Sequence, residues 1–383
     1  MQAFDFELPV RVVCGSDSID RLGELTAALS VRRVFVVSDP GVVAAGHCQR
    51  GLDALHAAGL ETSLFTGARE NPTTEHVEQG VLAAREFAPE ALVGLGGGSA
   101  MDCAKGINFL YTNGGRMQDY WGVGKATQPM LPMIAVPTTA GTGSELQSFA
   151  LISDAETHVK MACGDKKALC RAAILDPKLT LTQPATVTAL TGIDALSHAL
   201  ETYVTTRRNP LSMLFSRESW RLISTSLRQV LQHPDDLDAR ARMQLGASYA
   251  GLAIENSMLG ASHALANPLT ANFGTAHGQA VGVMLPHVIR YNAESMEADY
   301  RELLATTSHL PGMPPVNGGS DALAEFVGTL VADAGLQVNL RALGVAEERF
   351  EELASQAARQ WTGGFNPRPV TQPELREIYA QAF

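Results

Sequence analysis

Ala91-Leu-Val-Gly-Leu95 runs directly into Gly96-Gly97-Gly98-Ser99, and the fold is read outward from this junction. The first five residues form a short apolar run of the kind that becomes a buried parallel strand. The glycines after it lack side chains, so backbone N–H groups can approach an anionic ligand. At a helix N-terminus the unpaired amides and the dipole both favour phosphate. The bland alternative is a tight turn with no ligand.

The flanking chain has the same texture. Arg33-Val-Phe-Val-Val-Ser38 reads as a buried strand, broken by Asp39-Pro40-Gly41 and followed by a helix to about Ala58. Thr62–Phe65 reads as a strand, Thr73–Phe87 as a helix and Leu131–Val136 as another strand. Strands alternating with helices imply a parallel sheet wrapped by helices. A second loop, Pro137-Thr-Thr-Ala-Gly-Thr-Gly-Ser-Glu145, follows that last strand, where ligands of open α/β sheets usually bind. Asp39, just past a strand, suits a ribose hydroxyl contact and would repel a 2′-phosphate; it equally suits a turn or N-cap before Pro40. No Gly-x-Gly-x-x-Gly follows the first strand, so the phosphate loop comes late in the domain.

Short strand-like pieces continue through His158–Ala162 and Ala172–Leu175, and Pro177 and Pro184 then punctuate the chain. From Ala185 helical periodicity dominates, over 186–204, 211–232, 237–265, 278–292, 297–308, 320–335, 347–359 and 373–382. The expected architecture is two-domain: an α/β nucleotide-binding domain over 1–183 and an all-helical domain over 184–383. No internal repeat or low-complexity tract interrupts either.

Composition narrows the function. At 383 residues with 45% hydrophobic and 18% charged side chains, the chain reads as globular with a large core. A formal charge of −11 argues against nucleic acid. Five cysteines with no Cys-x-x-Cys read as reduced thiols of a cytosolic protein. The N-terminus lacks the features of a secretory signal, and no apolar run reaches the ~18 residues of a membrane span. The expectation is a soluble cytoplasmic protein.

Within Gly192-Ile-Asp-Ala-Leu-Ser-His198, Asp194 and His198 stand four residues apart and share a helix face. With His263 and His277 they make one carboxylate and three imidazoles, a ligand set for a divalent first-row metal. Taken alone, the pair reads as an exposed polar pair sooner than as a metal site. The other seven histidines (His47, His56, His76, His158, His233, His287 and His309) have no paired spacing and read as surface or satisfied core residues.

Five stretches in order resemble the iron-containing alcohol dehydrogenase family, whose fold is related to dehydroquinate synthase. They are Gly96–Lys105, Pro137–Glu145, Asp176–Thr180, Thr191–Tyr203 and His277–Val288. The resemblance covers essentially the whole chain. It implies NAD and a divalent metal, Fe2+ by family expectation or Zn2+ by ligand chemistry, held by Asp194, His198, His263 and His277. It maps the pyrophosphate loop onto Gly97, Gly98, Ser99 and Asp102, and a threonine-rich loop onto Thr138, Thr139 and Thr142. Asp39 falls at the position linked to NAD preference, and Asn71, Phe149, Lys160 and Leu179 at positions lining the cofactor. A homodimer is the implied assembly. One position departs: many relatives carry a proton-relaying histidine one turn past the third ligand, and here it is Asn267, which cannot exchange a proton near neutrality. The implied reaction is hydride transfer between a primary alcohol or diol and NAD. The rivals are a hydroxyacid or polyol oxidoreductase of the same fold, a non-catalytic NAD- or metal-binding protein, and an interaction protein.

Overall fold

The computed structural model describes residues 4–157 and 159–383; the first three residues and His158 lie outside the described residues. Two compact units emerge, one spanning Leu8–Gln183 and the other joining residues 4–7 to Pro184–Phe383. The N-terminal residues belong with the helical unit, where Phe6 stacks on Phe215 at 5.8 Å between ring centroids.

The first unit has strands β1 (Arg11–Cys14), β2 (Arg33–Val37), β3 (Glu61–Phe65), β4 (Ala91–Gly96), β5 (Gly122–Val123), β6 (Met133–Pro137), β7 (Phe149–Ser153), β8 (Lys160–Gly164) and β9 (Ala172–Leu175). Its helices are α1 (Leu22–Ala27), α2 (Pro40–Ala44), α3 (His47–Ala57), α4 (Thr74–Phe87) and α5 (Gly98–Asn113). Six strands pair in parallel in the order β1-β9-β6-β4-β2-β3, and β5-β8-β7 form a small second sheet. Burial explains the apolar runs: every residue of β4, β6 and β9 is buried, as expected for parallel strands covered on both faces. Val34, Val36, Val93, Leu95, Ile134 and Ile174 share one core with Ile19, Leu22 and Leu55.

The helix expected from Asp39 to Ala58 is two helices. Gly46 adopts φ +83 and turns the chain between α2 and α3, a left-handed conformation that glycine adopts without strain.

The second unit contains α6 (Ala185–Val204), α7 (Pro210–Gln232), α8 (Leu237–Asn256), α9 (Ala261–Phe273), α10 (His277–Ala305), α11 (Gly319–Asp333), α12 (Phe350–Ala357) and α13 (Gln372–Gln381). Two readings are corrected here. The expected helix 237–265 breaks between Asn256 and Ala261, where Met258 adopts φ +114. The new helix is started by side chains from elsewhere: Ala261 N donates to Asn366 Oδ1 at 3.2 Å and Ser262 N to Glu201 Oε1 at 2.7 Å. Conversely, the segments 278–292 and 297–308 are mostly one helix, α10, which ends at Ala305. The polar residues Glu294, Ser295 and Glu297 are partly or fully exposed on it, a solvated face and no break. Among the described residues, no helix is long and apolar enough to cross a membrane.

Candidate active site

In the helical unit, α6 presents Asp194 and His198, both buried. His263 sits in the first turn of α9 and His277 is the first residue of α10. Asp194 Oδ1 lies 3.4 Å from His198 Nε2, 3.6 Å from His263 Nε2 and 3.7 Å from His277 Nε2. The Nε2 atoms of His198 and His263 are 3.1 Å apart. Asp194, His263 and His277 each offer a ligand atom within 4.8 Å of the others.

Asp194 Oδ1 is buried and has no hydrogen-bond partner, a state that normally costs about 1–3 kcal/mol or more for a charged group. Burial pushes its carboxyl up, but the charge of His198, the polar approach of His263 and the charges of His277 and His263 outweigh it and hold it well below the usual carboxylate range. On the far side of His263, Nδ1 donates a hydrogen bond to Glu201 Oε2. Burial lowers the proton affinity of His263, yet Glu201 and Asp194 together raise it to about 9. With the imidazoles neutral, their three Nε2 lone pairs and the Asp194 carboxylate oxygen converge on one point. A divalent cation satisfies all four, and the donor set fits one.

The proposed cofactor residues lie in the sheet unit. β4 ends at Gly96 with φ +154, and α5 begins two residues later at Gly98. A Cβ at Gly98 would lie 2.5 Å from Thr142 Oγ1, and one at Gly97 would lie 3.3 Å from Thr139 Cγ2. The two glycine-containing loops therefore touch, and Thr138 N donates to Gly96 O at 2.9 Å across them. Asp39 borders the same place: its Oδ2 would be 3.2 Å from a Cβ at Gly96. Both readings of Asp39 are compatible, because Oδ1 alone caps α2 through Gly41 N at 2.9 Å and Val42 N at 3.0 Å. Ser99 is half-buried in the first turn of α5.

Asp102 points inward and accepts from Ser144 Oγ at 2.7 Å. Burial raises its pKa, opposed mainly by the charge of Lys105. Lys160 on β8 reaches Asn71 Oδ1 at 3.3 Å, and Asn71 holds φ +49. Phe149, half-buried on β7, lies over Gly164, where a Cβ would come within 2.4 Å of its ring. Leu179 is buried in the apolar core beneath the sheet, so its side chain faces hydrocarbon. In the helical unit Asn267, one turn past His263 on α9, donates from Nδ2 to Gln360 Oε1 at 3.0 Å.

Two residues were not singled out from sequence. Glu201 is a buried acid in an otherwise largely apolar helix, three residues past His198. Lys105 is fully buried, and its Nζ donates to Ser144 O (2.6 Å), Ser144 Oγ (2.9 Å), Gln147 O (2.8 Å) and Phe149 O (3.1 Å). In each case the available signal was a charge in an apolar helix.

A parallel sheet with a glycine loop at a strand end, and a carboxylate–imidazole cluster in a helical unit, are the parts expected of a nucleotide- and metal-dependent enzyme. The family model for iron-containing alcohol dehydrogenase matches residues 9–177, and that for the C-terminal part of the Fe-containing alcohol dehydrogenase family matches residues 188–383. The chain belongs to the iron-containing alcohol dehydrogenase family. It is 34% identical to 1,3-propanediol dehydrogenase of Klebsiella pneumoniae, over 99% of each chain. It is 32% identical to NAD-dependent methanol dehydrogenase of Bacillus methanolicus, again over 99% of each. Among solved structures, 1,3-propanediol oxidoreductase superposes with a TM-score of 0.93 at 34% identity, with full coverage of both chains. The protein is an oxidoreductase of the alcohol dehydrogenase type.

Proposed function

We propose that this chain catalyses reversible hydride transfer between a primary alcohol or short diol and NAD, with a divalent metal held by Asp194, His198, His263 and His277. The observation that carries the reading is the convergence of three imidazole nitrogens on the orphaned Asp194 Oδ1. In this reading the helical unit is the metal and substrate domain and the sheet unit binds NAD. Iron is the metal we assign, with zinc able to occupy the same donors.

Such an ion supplies Lewis acidity to the substrate oxygen, and NAD supplies the hydride acceptor. The chain's own contribution is positioning. Asp194 brings the single negative charge, and the three imidazoles bind as neutral donors. Gly97, Gly98 and Ser99 open the N-terminus of α5 to the pyrophosphate, with Thr138, Thr139 and Thr142 walling the opposite side. Asn71, Phe149, Lys160 and the backbone at Leu179 line the remainder, and Asp102 anchors the loop through Ser144. Asn267 takes no proton, so it would contribute hydrogen bonding only. The free cysteines, four of them buried, suit the cytoplasm, where we place the protein.

The test combines metal analysis with a panel of methanol, longer primary alcohols, 1,3-propanediol, glycerol and a 4-hydroxyacid, each with NAD and NADP. The expected result is NAD-linked turnover of primary alcohols or diols, lost on chelation and restored by Fe2+. Turnover that survives in chelated, metal-free protein overturns the reading.

Asp39→Ser separates the two roles of that side chain. Serine keeps an N-cap acceptor, so the melting temperature should hold, since Ser and Asp cap about equally. The charge that repels a 2′-phosphate is gone, and NADP use relative to NAD should rise about tenfold, roughly 1.4 kcal/mol. Steady-state kinetics with both cofactors measure it; an unchanged ratio removes Asp39 from the cofactor site.

A further inference from the structure

We infer that Glu201 is a positioning residue for the metal site, acting through His263; the inference rests on the ligand reading above. Three observations carry it. His263 Nδ1 donates to Glu201 Oε2, and that bond places the ring's other lone pair on Nε2, the nitrogen facing Asp194 at 3.6 Å and His198 at 3.1 Å. A hydrogen bond of this kind sets which ring nitrogen can serve as ligand and aims it.

The second oxygen of the same carboxylate accepts from Ser262 N at 2.7 Å. Two donors from consecutive residues thus converge on one carboxylate and clamp the first turn of α9 onto α6. The amides of a first helical turn have no partner within their own helix, and a negative charge there is favourable. The chain passes close by, since a Cβ at Gly260 would lie 3.1 Å from Glu201 Oε1 and 3.0 Å from Asn366 Oδ1.

The third observation is placement. Glu201 is 4% exposed and lies three residues past His198 and seven past Asp194, on the same face of α6. One helix therefore carries two ligands and the support of a third. An acid buried this deeply in an apolar helix needs a partner that fixes it, and its partner is a ligand.

Glutamine tests this with almost no change of shape. A carboxylate offers two acceptors, whereas an amide offers one acceptor and one donor. Whichever way the new amide turned, either Ser262 N–H or His263 Nδ1–H would face an NH2 group. If the NH2 faces His263, the imidazole must accept at Nδ1 and carry its proton on Nε2, which closes the ligand lone pair.

The experiment titrates Co2+ into metal-stripped parent, Glu201→Gln and His263→Ala, by competition with a chromophoric chelator, and records the visible Co2+ spectrum. The expected result for Glu201→Gln is affinity weakened about 10–100-fold, an altered spectrum, and a far-UV circular dichroism spectrum and NAD affinity like the parent's. Parental affinity and spectrum in Glu201→Gln overturn the inference. His263→Ala keeps the two failures apart. If it binds Co2+ like the parent, the ligand reading fails; if it loses Co2+ while Glu201→Gln does not, only the inference fails. Should Glu201→Gln not fold, Glu201→Asp carries the same readouts, with two acceptors on a stem one methylene shorter. Weakened binding with a changed spectrum supports the inference, and parental values overturn it.

Discussion

Replacing His198 with alanine is expected to remove bound metal and turnover together. His198 Nε2 lies 3.4 Å from Asp194 Oδ1 and 3.1 Å from His263 Nε2, so it occupies one corner of the convergent donor set. Its loss leaves three donors and an opening that water can enter. Lewis-acid stabilisation of developing charge is worth several kcal/mol, and about 4 kcal/mol corresponds to roughly 10³-fold in rate. The fall in kcat/KM should therefore reach about 10³-fold. Stability separates this from simple unfolding. In metal-free protein three imidazoles crowd one carboxylate, so removing one should leave the melting temperature near the parent's. With metal present the parent gains stabilisation by mass action, about 4 kcal/mol when the free ion stands at 1,000 times its dissociation constant, and the variant should gain far less. Metal content, kinetics and melting with and without added Fe2+ check this together. A variant that keeps parental turnover with no metal bound would sink the ligand assignment.

How far these elements can be read from sequence depends on where the forces that shape them originate. The strands were legible because β2, β4, β6 and β9 are buried on both faces, so nearly every residue is apolar. The break between α8 and α9 was not. Ser257-Met-Leu-Gly-Ala-Ser262 continues a helical pattern, and the new start is imposed by Glu201 and Asn366, 61 and 105 residues away from their amide partners. Local pattern cannot anticipate a cap supplied by another helix. The gap read between the helices 278–292 and 297–308 has a local cause: Glu294 and Ser295 interrupt the apolar pattern, although they only form the exposed side of α10.

The candidate site divides the same way. Spacing places Asp194 and His198 on one helix face, but their meeting with His263 and His277 is a property of how α6, α9 and α10 pack. Family resemblance supplied that grouping; periodicity could not. Glu201 and Lys105 were passed over because a charge in a helix ordinarily marks its solvated side. Here both are buried, and each is satisfied by groups distant in sequence.

Lys105→Met should strongly destabilise the sheet unit. Methionine fills a similar length of stem but donates nothing, leaving the carbonyls of Ser144, Gln147 and Phe149 without the ammonium. It also strips Asp102, buried on the same helix, of its principal favourable charge. Removing one member of a buried charge pair typically costs about 3–5 kcal/mol, and denaturant unfolding followed by far-UV circular dichroism should register a loss of that size. The acceptors come from the end of the threonine-rich loop and the start of β7, so the loop facing Gly97 and Gly98 loses its anchor and NAD affinity should fall with stability. Lys105→Arg should not rescue, because a planar fork cannot replace a compact ammonium among four acceptors gathered around one nitrogen. Adding Asp102→Asn to Lys105→Met should recover part of the loss, since it removes the stranded charge. Such contacting residues couple by about 0.5–3 kcal/mol. If the double variant is no more stable than Lys105→Met, the Asp102 charge is not what makes the lysine necessary. The loop carbonyls alone then account for it.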